Sequence, residues 1–247
     1  VAGVDFMAES AAILCPGKTV LSPEPAATCP MANSIEVSDV MQYKQKHPDS
    51  LVVSYVNTPA SIKAVSDICC TSSNAVKIIE KLPSDKEIFF IPDENLGNYI
   101  ASKLERPLDL FPSRCPTHAV VTKEDILQRK AEFPQAEVLV HPECHPEVVA
   151  LADFVGSTAG ILDRVVKSDK DTFIIATECG IIDSINKASP EKKLILAQKG
   201  LICPNMKSIT LNKILFSLEN METIITVPEE IRVKAAQALE KMISYSS

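Results

Sequence analysis

The sequence predicts an α/β protein: three small three-layer αβα domains with parallel sheets, in pseudo-three-fold arrangement around a central active site. Three observations carry this expectation. Short apolar runs alternate with helical patterns, as parallel βα units require. A long segment recurs at one constant offset, the distance from Cys29 to Cys115, and a fixed period marks a repeated architecture. Cys29, Cys115 and Cys203 each precede a proline at the same phase of that repeat.

The repeat is read by aligning CPMANSIEVSDVMQYKQKHPDSLVVSYVN, from Cys29, with CPTHAVVTKEDILQRKAEFPQAEVLVHPE, from Cys115. Without a gap, Pro30 meets Pro116, Asp39 meets Asp125, Gln42 meets Gln128, Lys44 meets Lys130, Pro48 meets Pro134 and Val52 meets Val138. Further along, Asp67 meets Asp153 and Ser72 meets Thr158; a short deletion before Ser168 then brings SDKEIFF onto SDKDTFI. From Cys203, CPNMKSITLNKILFSLEN begins the same way. Each unit reads as helix, strand, helix, short strand, helix, strand, then the Cys-Pro loop. The runs LVVSYV, EVLVH, DKEIFFI and DTFIIA are strands bounded by turn residues. QYKQKHPD and LQRKAEFPQ are helix ends stopped by proline. VAGVDFMAESAAILCPGKTVLSPE reads as an earlier copy of the half that begins SDICCTSSNA. Roughly 20 residues or more of a first domain are therefore expected before Val1. The expected domains are 1–28, the end of a first αβα unit; 29–114, the second; 115–202, the third; and 203–247, a helical segment packing back on the first.

Composition narrows the function classes. With 46% hydrophobic and 23% charged residues the chain can bury a real core. A net charge of -7 with 5% aromatic residues argues against nucleic acid as a partner. No apolar run approaches the roughly 18 residues a membrane helix needs. The opening Val1-Ala2-Gly3-Val4 offers no basic secretion signal, so a cytoplasmic location is expected. Without a secretion signal, the 8 cysteines point to metal ligation or catalysis before disulfides.

Three cysteines at one repeat phase should meet at the pseudo-symmetry axis, at the carboxyl ends of the strands where α/β folds bind ligands. Three soft thiolates suit a [4Fe–4S] cluster with one iron left open as a Lewis acid. Zinc competes, but would want a fourth ligand. Cys69, Cys70 and Cys179 read as core, Cys15 as a helix end, and Cys144 as a neighbour of Glu143 easily mistaken for a ligand. At the strand ends, Tyr55 and Asn57 match His141 and Glu143 and should face the same mouth. Pro142 argues that HPECH is not a helical zinc motif. Glu143, an acid ending an apolar strand, is a candidate general base with a pKa raised by its surroundings. Ser72 and Thr158, in TSSNA and GSTAG before helices, are candidates for gripping carboxylates or phosphate, or are simple caps.

The segments VAGVDFMAESAAILCPGKTVLSPE, ATCPMANS, YVNT, CCTSSNA, PDENLGNYIA, VLVHPECHPEV, GSTAGI, ICPNMK and VPEEIR, in this order and spacing, resemble quinolinate synthases over essentially the whole chain. The resemblance implies an enzyme of NAD biosynthesis condensing iminoaspartate with dihydroxyacetone phosphate to quinolinate, phosphate and water. It implies a [4Fe–4S] cluster on Cys29, Cys115 and Cys203. It places Glu143, Tyr55 and His141 in catalysis and Asn57, Ser72 and Thr158 at the substrate, with Met206 lining the same cavity. It also implies L-aspartate oxidase or aspartate dehydrogenase as the source of iminoaspartate. The family's His-Asn-Tyr strand motif has no match here and is expected on a strand before Val1. The alternatives to this reading are an iron–sulfur sensor, a structural zinc protein, or another cluster-dependent dehydratase.

Overall fold

The computed structural model describes residues 1–246 and contains two copies of one unit. A helix, α1 (Asp5–Leu14), and a loop lead to Cys29. The first copy then runs α2 (Val37–Lys46), β1 (Leu51–Tyr55), α3 (Ala60–Lys63), β2 (Ile68–Cys70), α4 (Ala75–Glu80), β3 (Ile88–Ile91), α5 (Glu94–Leu104) and β4 (Asp109–Leu110) to Cys115. The second runs α6 (Lys123–Glu132), β5 (Glu137–Val140), α7 (Pro146–Val149), β6 (Phe154–Val155), α8 (Thr158–Lys167), β7 (Thr172–Ala176), α9 (Ile181–Ala188) and β8 (Lys193–Leu196) to Cys203. The chain closes with α10 (Pro204–Lys207), α11 (Leu211–Asn220) and α12 (Glu229–Ser246).

Both copies form parallel four-stranded sheets of matching order, β2-β1-β3-β4 and β6-β5-β7-β8. Period-two alternation sends successive side chains to opposite faces, and both faces are covered. In the first sheet Val53, Ile68, Ile88 and Phe90 pack with Ile78 of α4 and Leu96 of α5, while Val52, Phe89 and Ile91 pack with Val40 of α2 and Ile62 of α3. In the second, Val138, Val140 and Ile174 pack with Ile126 of α6 and Val148 of α7; Leu139, Phe173 and Ile175 pack with α8 and α9. Each unit is thus the expected three-layer αβα sandwich.

The repeated polar residues hold the same joints in both copies. The Asp67 carboxylate accepts the Val52 N–H at 2.8 Å, and Asp153 accepts the Val138 N–H at 2.9 Å. Lys44 pairs with Asp67 at 3.1 Å and Lys130 with Asp153 at 3.6 Å, tying α2 and α6 to the strand ends. Capping boxes start α2 at Glu36 and Asp39, and α6 at Thr122 and Asp125. Both helices end one residue before a His47-Pro48 or Phe133-Pro134 step, because a residue before proline disfavours the α conformation.

Three expectations need correction. Each unit carries one more helix and strand before its Cys-Pro loop: α5–β4 and α9–β8. Both β4 and β8 are edge strands, and β4 spans only 2 residues, which hides its signal. The opening segment is out of the expected phase. α1 reaches Cys29 through an isolated bridge at Leu21, so it stands where α5 and α9 stand, not where α4 and α8 stand. The C-terminal helix α12 packs on α3 and β2 as well as on α1, burying Ala235, Ala238 and Leu239 against Ile13, Ala60 and Cys69. It therefore lies over the first copy of the unit as well as over α1. None of the described helices is long and apolar enough to cross a membrane.

Candidate active site

Each of the three in-phase cysteines opens a helical turn. The carbonyl of Cys29 accepts the N–H of Asn33 at 3.0 Å, that of Cys115 accepts Ala119 at 3.0 Å, and that of Cys203 accepts Lys207 at 3.1 Å. Proline follows each cysteine, at a first-turn position where its missing N–H costs nothing. Free N–H groups of the turn point at sulfur: Ala32 donates to Cys29 Sγ at 3.5 Å, and Thr117 and His118 donate to Cys115. Such donors favour thiolate. Burial nevertheless dominates and pushes the Cys29 thiol up to about 11, helped by nearby Glu143 and Cys203. Burial and Glu143 push Cys115 up as well. A metal must therefore displace these protons to bind.

All three cysteines line one cavity of about 320 Å³, and Tyr55, Asn57, His141, Glu143, Thr158 and Met206 line it too. The repeat reading and the resemblance thus converge on one place. Ser72 is the exception: it lies behind the wall and hydrogen-bonds the Tyr55 hydroxyl. Of the other cysteines, Cys69, Cys70 and Cys144 are buried away from the cavity, and Cys15 caps the end of α1. Cys179 was expected in the core; it is only partly buried, because it follows β7 on the turn into α9. HPECH is a turn ahead of α7, as Pro142 requires.

Glu143 is the electrostatic centre. Its Oε2 sits 2.8 Å from Nδ1 of His118, and it accepts a hydrogen bond from Tyr55. Its pKa runs opposite to expectation. Burial pushes the carboxyl up, but His141, His118 and the Tyr55 hydroxyl outweigh that and hold it well below the usual carboxylate range. Glu143 is an ionised group here, not a protonated acid. Tyr55, buried and beside Glu143, is pushed far up and keeps its hydroxyl proton. Burial lowers His141 to about 4, against the pull of Glu143. His141 is therefore neutral; its Nδ1 accepts the Glu143 N–H at 3.3 Å, which leaves Nε2 carrying the proton.

The sequence reading missed several contributors. His118, in the CPTH loop, stacks on His141 with centroids 4.5 Å apart. Its Nδ1 also lies 3.3 Å from Cys115 Sγ, and its Nε2 lies 2.9 Å from the Thr177 hydroxyl. Its signal was a histidine one turn after a ligand-type cysteine. Asp93 caps α5 and Glu178 follows β7, each two residues beyond its strand. Asp93 is fully buried, and burial followed by Glu143 pushes its pKa up. Asn95 donates to the Glu143 carbonyl at 3.0 Å and so fixes the turn from the neighbouring unit.

The donor set fits an iron–sulfur cluster: three free, partly exposed thiols around one cavity, each on a separate loop, with N–H groups aimed at the sulfurs of Cys29 and Cys115. Cys115, His118 and Glu143 also bring ligand-type atoms within 4.8 Å of one another. His118 and Glu143 meet directly at 2.8 Å as a hydrogen-bonded pair.

A family profile described as Quinolinate synthetase A protein matches residues 1–244. A quinolinate synthase of Geotalea uraniireducens is 49% identical over 242 residues, covering 98% of this chain and 79% of that protein. One from Methanosarcina barkeri is 46% identical over 242 residues, again 98% and 79%. One from Dehalococcoides mccartyi is 48% identical over 241 residues, 98% and 80%.

Proposed function

Because this chain belongs to the quinolinate synthetase A family, and so is an enzyme that makes quinolinate for NAD biosynthesis, we propose that the three-cysteine cavity is its active site. The reaction is condensation of iminoaspartate with dihydroxyacetone phosphate, releasing phosphate and water. Iminoaspartate is supplied by an L-aspartate oxidase or aspartate dehydrogenase, and the enzyme works in the cytoplasm. The observation that carries this reading is a single cavity uniting Cys29, Cys115 and Cys203 with Tyr55, His141 and Glu143. The three cysteines stand at one repeat phase, in a pseudo-three-fold arrangement of αβα units around this cavity.

Cys29, Cys115 and Cys203 would hold a [4Fe–4S] cluster, which when bound supplies one iron with open coordination as a Lewis acid. The chain's own groups do the rest. Glu143, ionised, accepts protons as carbon–carbon and carbon–nitrogen bonds form. The Tyr55 hydroxyl, still protonated, returns protons to departing oxygen. His141, neutral, offers its Nε2 N–H to an oxyanion without adding a cation. Asn57 donates hydrogen bonds to carboxylate. Thr158, in the first turn of α8, adds a hydroxyl beside a helix N-terminus suited to carboxylate or phosphate. Ser72 orients the Tyr55 hydroxyl and so acts through it. Met206 closes the apolar side of the cavity.

Anaerobic assay of quinolinate formation from iminoaspartate and dihydroxyacetone phosphate tests the reading. Formation that depends on bound iron supports it. Iron-loaded protein that binds neither substrate removes it and favours a sensor.

A further inference from the structure

Two carboxyl groups outside the expected site make the same unusual pair of bonds. Asp93, at the end of β3, gives Oδ1 to the N–H of Leu96 at 2.8 Å, which caps α5. Its second oxygen, Oδ2, crosses to the N–H of Cys115 at 3.1 Å. Glu178, at the end of β7, gives Oε2 to the N–H of Gly180 at 2.7 Å, at the start of α9. Its Oε1 crosses to the N–H of Cys203 at 3.4 Å and meets Lys207 Nζ at 3.3 Å. In both units the third strand thus ends in an acid that binds its own next helix with one oxygen and the next unit's cysteine with the other. The two bonds are not accidents of composition. One acid is Asp and the other Glu, each stands two residues beyond its strand, and they reach the same backbone atom of an equivalent cysteine.

We infer that Asp93 and Glu178 are matched positioning residues that set the Cys115 and Cys203 backbones for cluster ligation. This rests on the cluster reading above. A cysteine on a loop can swing, and fixing its N–H fixes the direction of its Cα–Cβ bond toward the cavity. Groups behind metal ligands hold them in register, and losing one typically costs 10–100-fold in metal affinity. The clamp also couples each ligand to a neighbouring sheet, so the units are locked together where the cluster sits.

Asp93→Asn and Glu178→Gln isolate the effect. Asparagine caps helices as well as aspartate does, but an amide offers one acceptor oxygen where the carboxyl offers two. One N–H must then lose its partner. Both variants and the parent are reconstituted anaerobically. Iron per chain, iron release to a chelator and the EPR spectrum of the reduced cluster are measured. Melting of the iron-free chains serves as the control for folding. Iron release is expected to be faster by roughly 10-fold or more, with an altered EPR line shape. The shorter Asp93 bond should give the larger effect. Lys207→Met, which spares the Cys203 bond, should release iron near the parental rate. Parental release and spectra in both variants overturn the inference, as does a Lys207→Met effect equal to that of Glu178→Gln. If Asp93→Asn does not fold, Glu178→Gln, on a partly exposed side chain, decides the matter alone. A parent chain that takes up no iron overturns the cluster reading itself, a distinct result.

Discussion

Glu143→Gln isolates the charge on which the proposed chemistry turns. Glutamine keeps the shape of the side chain and one oxygen for the Tyr55 hydroxyl, but it cannot take a proton. Loss of a positioned general base costs about 10²–10⁴ in rate, or about 3–5 kcal/mol of transition-state stabilisation. The upper half of that range is expected here. Tyr55 and His118 both aim at this carboxylate, and the other acid of the cavity wall, Glu178, has its oxygens committed to Gly180, Cys203 and Lys207. His141 does not compensate. Glu143 is the neighbour that raises its pKa, so the variant moves His141 further down from about 4 and leaves it neutral. The parent's acid limb has a defined sign as well. Since Glu143 is held below the ordinary carboxylate range, it stays ionised as pH falls toward about 4. Its protonation therefore produces no acid limb between neutrality and that point. The assay is anaerobic quinolinate formation against pH, with iron measured on the same samples. Full iron and near-parental turnover in Glu143→Gln would refute the role.

Other outcomes follow from the packing. Lys63 is fully buried, and burial lowers it to about 8, opposed by Cys69, Glu9 and Asp5. Between that value and the unfolded value near 10.5 the unfolded chain binds more protons. Stability thus carries a penalty of about 3 kcal/mol below pH 8 that is relieved as pH rises toward 10.5. Lys63→Met should lack this rise, seen as the difference between the two urea-denaturation curves across pH; identical pH dependence contradicts it. Asp67→Ala and Asp153→Ala each break the same strand–helix joint and should each cost about 1–3 kcal/mol in denaturation. Very unequal costs would deny that the joints are equivalent. Gly97 packs its backbone against Leu110, where an added Cβ would meet Cδ2 at 2.4 Å. Gly97→Ala should destabilise by about 1–3 kcal/mol, read as a lower Tm.

Much of this was legible because the gene encodes the unit twice. Residues that meet in the alignment, such as Lys44 with Lys130 and Asp67 with Asp153, make the same contacts in space, so their recurrence announced a structural job. The Cys-Pro steps were legible for the same reason: phase carried the signal where a lone cysteine carries none. The missed elements lack such recurrence. β4 spans only Asp109–Leu110, too short for alternation to show, and with it α5 fell outside the alignment. Glu178 and Asp93 each follow their strand by two residues, but the deletion placed before Ser168 sets them one residue out of register in the alignment. His118 has no counterpart at Ala32, its partner in the repeat, so the alignment gave it no weight. The Glu143 pKa was misjudged because burial is visible in an apolar strand, whereas the groups that oppose it include Tyr55 from the other sheet and His118 from the Cys115 loop.

The most direct test of the account is metal content. The parent chain and Cys29→Ser, Cys115→Ser, Cys203→Ser and Cys144→Ser variants are reconstituted anaerobically, and iron and acid-labile sulfide are counted. About four of each per chain are expected for the parent and for Cys144→Ser, with a collapse in each of the other three. A full complement retained by any of those three, or zinc in place of iron in the parent, would contradict it.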